Sequence, residues 1–216
     1  MSNVIIRPFA LTDRKTVRDI CADTADKGEP VENFFPDRES VTDLLSVYYT
    51  DHEPQSLFVA EQDGKVVGYV MGCFDNRRYG LAMMWIIVPK ALWKAFRNGV
   101  FFKEQFWGIM AGMMQNWPRL FAWRKKSFHS HEGHLHIGIA KDYRNQGIGE
   151  KLVDALSACA RKRHVEVLVA SVHDGNPSAM KFFERAGFNV VERYPMVMCQ
   201  NGQYVQYQSL LYVKKV

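Results

Sequence analysis

Glu132-Gly-His134-Leu-His136-Ile137-Gly138-Ile139 puts a carboxylate and two imidazoles on one largely apolar segment. Side chains alternate along a strand, so His134 and His136 share a face. Either ring can accept a proton near neutral pH, and Glu132 is a second candidate base. Both histidines could equally serve as hydrogen-bonded members of the interior, and the residues alone leave the two roles open. His129 and His131 enlarge the cluster. Three of the four could ligate zinc, but such a site needs a carefully placed shell, and no metal is expected. Downstream, Arg144-Asn145-Gln146-Gly147-Ile148-Gly149 reads as a turn opening a helix. Unpaired backbone N–H groups and the positive end of the helix dipole meet at such a turn, and glycine lets a ligand approach the backbone. A phosphate or pyrophosphate fits there. The segment lacks the Gly-Lys-Ser/Thr of a P-loop, and Leu152 replaces the third glycine of a dinucleotide fingerprint.

These residues need elements to hold them. Ile148, Leu152, Val153, Leu156 and Ala160 recur at helical spacing, and Arg161, Lys162 and Arg163 load the helix's negative end. Val165–Val172 reads as a strand, His173-Asp-Gly175 as a turn. Asn176-Pro177 is a helix start, with Asn as N-cap and Pro in the first turn, and Gly187 closes that helix. Upstream, Val4–Pro8 is a strand, Thr12-Asp13 caps a helix, and Asp63-Gly64 turns a β-hairpin between Leu57–Glu61 and Lys65–Met71.

Arg144-x-x-Gly147-x-Gly149 resembles the Arg/Gln-x-x-Gly-x-Gly/Ala turn of the GCN5-related N-acetyltransferases. Asn176-x-x-Ala179-x-x-Phe182-Phe183-x-x-x-Gly187-Phe188 resembles the second signature of that family. The order strand, helices, hairpin, strand, helix, strand, helix, strand agrees over nearly the whole chain. A narrower likeness, on Ile20-Cys-x-x-Thr24-Ala-Asp-x-Gly28, Gly68-Tyr69, Asp75 and His134–Ile137, is to bacterial acetyltransferase-like domains related to those attached to O-GlcNAcases. The resemblance implies an α/β (α+β) fold: a mixed, mostly antiparallel sheet with helices on both faces, and a helical insertion between the third and fourth strands. It implies one domain over 1–216.

The resemblance further implies acetyl-CoA as acyl donor, no metal, and direct attack by a primary amine of a small molecule or peptide in a ternary complex. Ile137, Gly138 and Ile139 would pair with the pantetheine arm and polarise the thioester, Gly138 suiting a close approach of that arm. Arg144, Asn145, Gln146, Gly147, Ile148 and Gly149 would hold the pyrophosphate, and Asn176 would contact the pantetheine besides capping its helix. An alkylammonium has a pKa near ~10.4, so His134, His136 or Glu132 would take its proton, directly or through water. Phe183 stands where the family has a tyrosine that protonates the departing thiolate. Phenylalanine cannot, which leaves water, Tyr143 or Tyr194. It also keeps open a coenzyme-A-binding module with little or no catalysis.

At 47% hydrophobic, the 216 residues can bury a sizeable core. Cys21, Cys73, Cys159 and Cys199 have neither metal nor redox spacing, and no signal-like leader is read at the start, so a reduced, cytoplasmic protein is expected. The longest apolar run, Leu81–Val88, is far short of the ~20 residues a spanning helix needs. Net charge is +5. Between Asn76 and His131, however, Lys and Arg at 77, 78, 90, 94, 97, 103, 119, 124, 125 and 126 face a single acid, Glu104. All five tryptophans lie in this block. Short amphipathic helices are expected, with Leu92, Phe96 and Val100 on one face, Phe102, Phe106 and Met110 on another, and boundaries at Pro89 and Pro118. The aromatics can pack on the sheet or on a second subunit of a homodimer, wall an acceptor, or contact an anionic membrane surface. No nucleic-acid module accompanies the charge, and no nucleic acid is expected as a partner.

Overall fold

The computed structural model describes residues 4–35, 37–127, 131–200 and 203–216; for 117–127 and for residue 200 only the backbone is described. Strand β1 (Val4–Pro8) leads through a 3₁₀ turn into helix α1 (Arg14–Asp23), and α2 (Arg38–Val47) follows. Asp13 occupies the N-cap position of α1 without capping it. Its carboxylate turns back to the Ala10 N–H and to the Arg7 guanidinium, at 2.9 and 2.7 Å. Strands β2 (Leu57–Gln62) and β3 (Lys65–Cys73) form the expected hairpin. Asp63 and Gly64 both have positive φ, 51° and 75°, which matches a two-residue turn to the strand twist.

Between β3 and β4 (Glu132–Ile139) the chain is helical. α3 (Asn76–Ala82), a π-helical turn (Met83–Ile87) and α4 (Val88–Arg97) run on without a break. After Gly99, at φ 68°, a short 3₁₀ turn leads to α5 (Glu104–Ser127). Of the two proline boundaries, Pro89 stands at the start of α4 and Pro118 does not mark an end. Pro89 follows the π-helical turn, where the hydrogen-bond pattern changes from π to α, and Pro118 lies within α5. The expected faces change. Val100 and Phe106 are buried, whereas Leu92, Phe96 and Phe102 are exposed. The inner face of α4 is Ala91 and Ala95, and the Ala91 carbonyl accepts from Ser40 Oγ on α2. Two helices this close leave room only for small side chains, so the large ones turn outward.

Helix α6 (Ile148–Lys162) buries all five predicted apolar positions, and β5 (Val167–His173) and α7 (Pro177–Arg185) follow. The chain ends in a long hairpin, β6 (Asn189–Gln200) and β7 (Gln203–Lys215), where a single strand is expected from sequence. The seven-stranded sheet has the order β1-β2-β3-β4-β5-β7-β6. Only β4 and β5 are parallel; the other neighbours are antiparallel. α6 and α7 pack on one face, around Leu152, Leu156, Leu168, Phe183 and Tyr212, and α1 on the other, around Ile20, Tyr49, Tyr69 and Met71. Strand β6 is a sheet edge, and α5 covers it. The Asn116 amide there donates to the Val197 carbonyl and accepts from the Val197 N–H, at 2.7 and 2.9 Å, so an edge residue that would lack partners is satisfied.

Candidate active site

The pairing of β4 with β5 stops early. Glu132, Gly133 and His134 align with Val167, Leu168 and Val169, and no pairs follow. From Leu135 onward β4 stays paired with β3 but parts from β5. This opens a wedge in the middle of the sheet whose wall is backbone without ladder partners, a surface able to pair with an extended polar chain.

Two cavities meet in that wedge. The first, of about 360 Å³, is bounded by Ile137, Gly138 and Ile139 on β4, by Arg144, Asn145, Gly147, Ile148 and Gly149 at the turn into α6, and by Asn176 and Phe183. Gly147 is the N-cap of α6 at φ 73° and supplies no side-chain cap, so the first N–H groups of the helix stay open toward the cavity. A Cβ on Gly147 would meet nothing within 4 Å, so the space over it is open. Asn145 is also left-handed, at φ 61°. Lys27, Arg144 and Arg185 outnumber Glu150 around the cavity, which favours an anion. The Arg144 guanidinium also braces the site, bonding the Ile139 carbonyl at 3.0 Å and the Gly28 carbonyl at 2.8 Å. Gln146 is turned away, its amide donating to the Asp142 carbonyl.

The glycines that admit close packing are matched to rings. A Cβ on Gly149 would lie 2.5 Å from Phe182, and one on Gly138 2.8 Å from Tyr69. The close neighbour that Gly138 requires is therefore the side chain of Tyr69, its cross-strand partner on β3, whose ring lies over it on the same sheet face. Asn176 caps α7 as expected, its Oδ1 accepting from the Ala179 N–H at 3.0 Å. Gly187, at φ 83°, ends that helix.

The second cavity, of about 330 Å³, shares Thr24, Lys27, Ile137, Asn176, Ala179 and Phe183 with the first and extends toward β5 and β7. His136, Ser171, His173, Tyr207 and Ser209 supply its polar wall. The predicted bases separate here. His136 lines this cavity; His134 and Glu132 line neither. His136 Nδ1 lies 3.0 Å from the Tyr69 hydroxyl, and no described residue bonds Nε2. Both nitrogens of His134 are engaged, Nδ1 with Asn76 Oδ1 and Nε2 with the Tyr49 hydroxyl, each at 2.9 Å. Burial lowers the pKa of both imidazoles to about 4, the neighbouring His136 adding to the shift at His134, so both are neutral at pH 7. The Glu132 backbone carbonyl accepts from Asn76 Nδ2, and Glu132 Oε2 is buried without a partner among the described residues.

Phe183 is buried where the two cavities join, against Phe182, Phe188 and Tyr212. Of the hydroxyls considered as its replacement, Tyr143 and Tyr194 line neither cavity. Tyr207 does, stacked on His173 with ring centroids 4.0 Å apart. Sequence reasoning missed Tyr207, Ser171, Ser209 and Lys27. The alternation of β7 marks Tyr207 as a strand residue, and nothing local assigns it to a site. His131 is exposed and His129 lies outside the described residues; no group of three metal-ligating side chains gathers among the described residues.

The geometry agrees with comparisons to known proteins. The model of the acetyltransferase (GNAT) family matches residues 100–188. A curated relative, the L-methionine sulfoximine/L-methionine sulfone acetyltransferase of Pseudomonas paraeruginosa, is 30% identical over 69 residues, which are 32% of this chain and 40% of that protein. The chain thus matches well under half the length of that relative. The crystal structure of SsHAT superposes with a TM-score of 0.72 at 21% identity, covering 99% of this chain and 98% of the other. A GNAT superfamily phosphinothricin acetyltransferase from Sinorhizobium meliloti, solved in complex with AcCoA, superposes with a TM-score of 0.58 at 14% identity, covering 99% and 88%. With both signatures in place and the sheet parted between β4 and β5, residues 100–188 match the acetyltransferase (GNAT) family, and the chain shares the fold of the solved acetyltransferases.

Proposed function

We propose that the chain transfers the acetyl group of acetyl-CoA to a primary amine by direct attack in a ternary complex. The observation that carries this reading is the junction of the two cavities in the β4–β5 wedge. One is cationic, with an uncapped helix N-terminus and an open glycine; the other is walled by an imidazole and hydroxyls. The residues fit the donor. The α6 N-terminus, Lys27 and Arg144 receive the pyrophosphate, and the edge of Leu135–Gly138, without ladder partners on the β5 side, pairs with the pantetheine amides. A backbone N–H of that edge polarises the thioester carbonyl.

The acceptor enters through the second cavity. His136 Nε2 takes the proton as the amine nitrogen bonds to the acyl carbon and the carbon–sulfur bond breaks. The burial that depresses His136 also disfavours an alkylammonium in the same cavity, so the amine enters more readily in its neutral form. The imidazole takes the proton that the nitrogen gains in acidity to release once it bonds to the acyl carbon. Tyr207 donates the proton to the departing thiolate in place of the tyrosine absent at 183. Burial raises its pKa, which keeps the phenol protonated. Incubation with acetyl-CoA and a panel of amines, following both thiol release and the N-acetyl product, tests this. Binding of acetyl-CoA without product from any amine would favour a second reading, motivated by Phe183, in which the chain binds coenzyme A without transferring the acyl group.

A further inference from the structure

We propose that the outward face of the helices between β3 and β4 is a docking surface for an anionic lipid bilayer. Leu81, Trp85, Leu92 and Phe96 recur at helical spacing along the continuous segment 76–97, and all are exposed, Trp85 at 70%. The surface continues into α5. Trp93 stacks on Phe96, Phe96 meets Phe101, and Phe101 meets Trp107, with centroids 5.9, 6.0 and 6.4 Å apart. Phe102 beside them is 84% exposed. An apolar surface of this extent, with three tryptophans in the open, exceeds the scattered apolar residues of an ordinary exterior.

Its charge selects the partner. Arg77, Arg78, Lys90, Arg97 and Lys103 are exposed on the same helical segment and its continuation, and none forms an ion pair with a described residue. Lys94 is the contrast. Its ammonium is held by Glu39 and Asp43 of α2, at 3.2 and 3.0 Å, which seats the helix on the body of the protein. The unpaired cations border an apolar stripe on a helix lying along the surface. Indole and alkyl groups of that stripe suit the boundary of headgroups and acyl chains, and the cations suit lipid phosphates. No helix among the described residues is long and apolar enough to cross a membrane, so contact is with one leaflet. A second copy fits poorly, because a two-fold contact would set the same unpaired cations against each other, with Glu104 the one acid of the block.

Co-sedimentation of the full chain with vesicles tests the proposal. Vesicles of phosphatidylcholine and phosphatidylglycerol in a two-to-one mixture are compared with phosphatidylcholine alone. The expected result is at least ~10-fold tighter binding to the anionic vesicles, a blue shift of tryptophan emission, and weakening by salt. Trp85→Ser with Trp93→Ser should lower binding ~10-fold, and Lys90→Glu with Arg97→Glu and Lys103→Glu should remove the preference for anionic lipid. Unchanged acetyl-CoA affinity in these variants reports an intact fold. Sedimentation no greater than without vesicles, or equal binding to both compositions, overturns the proposal. So does a concentration-dependent dimer that Trp85→Ser disperses in the absence of vesicle binding. Binding to poly-L-glutamate as tight as to anionic vesicles, and indifferent to the tryptophans, would assign the surface to acidic polymers instead.

Discussion

The Tyr69 hydroxyl lies 3.0 Å from His136 Nδ1, and the two rings stack with their planes 14° apart. Tyr69 is fully buried on β3 and presses against Gly138, so one side chain orients the proposed base and shapes the strand expected to hold the thioester. Tyr69→Phe should keep the stack and lose the bond. We expect kcat to fall about 10-fold while acetyl-CoA affinity changes little, because orientation of a base acts on the reacting complex. An equal loss in affinity would point to distortion of β4 instead.

His136→Gln and His134→Gln should differ in kind. Loss of a positioned base costs roughly 10²-fold or more in kcat, so His136→Gln should be nearly inactive yet folded. His134 is held at both nitrogens by Asn76 and Tyr49, and its replacement leaves buried partners unsatisfied. It should lower stability by about 1–3 kcal/mol in denaturant titration. A His134 variant that is stable but inactive would exchange the two roles.

Because burial lowers both imidazoles to about 4, the folded protein holds them neutral while the unfolded chain protonates them near ~6.5. The unfolded state binds more protons below that pH, so stability falls as pH drops from about 6.5 toward 4 and levels off below. Melting temperatures from pH 7.5 to 4.5 should show the decline, with His134→Gln reducing its slope. Imidazole shifts titrating near pH 6.5 in the folded protein would refute the burial argument.

Gly147→Glu sets a carboxylate in open space at the helix N-terminus, where we expect the pyrophosphate; calorimetry should find acetyl-CoA binding lost, with stability altered mainly by the left-handed φ of 73°. Gly149→Ala acts through packing. Its Cβ would strike Phe182 at 2.5 Å, and we expect a loss of about 1–3 kcal/mol in stability. If Gly147→Glu binds coenzyme normally, the phosphate site lies elsewhere.

Tyr207→Phe removes the hydroxyl assigned to the thiolate. A general acid contributes ~10²-fold or more, and the loss should ease at high pH, where the thiolate leaves without a proton. Phe183→Tyr returns a hydroxyl to the cavity junction and should recover part of the rate in the Tyr207→Phe background. No change in kcat on Tyr207→Phe would leave the proton to water.

Local chemistry made much of this protein legible before its fold was known. Asp63-Gly64 adopts the hairpin turn its residue types require, Gly147 opens α6 with φ 73°, and Asn176 caps α7 through its own side chain. Each effect acts within a few residues, so sequence spacing carries it. His134 and His136 share a strand face for the same reason, yet only His136 lines a cavity. That distinction depends on Tyr49, Asn76 and Tyr69, which come from elements distant in sequence.

The tertiary structure alone decided three things. Strands β4 and β5 part after His134, and no residue pattern within β4 marks the point. Tyr207 and Ser209 join Ser171 of β5 in the second cavity because the strand order inserts β7 between β5 and β6. Leu92, Phe96 and Phe102 face outward, since an amphipathic pattern reports that a helix has two faces and not which one the rest of the protein leaves room for. By itself, the sequence determined the glycine turn proposed to hold phosphate and the helices and strands beside it, because hydrogen bonds and backbone conformation there are local. The choice of the proposed base, the cavity proposed for the acceptor and the exposed aromatic face required packing between distant segments, which only the folded chain supplies.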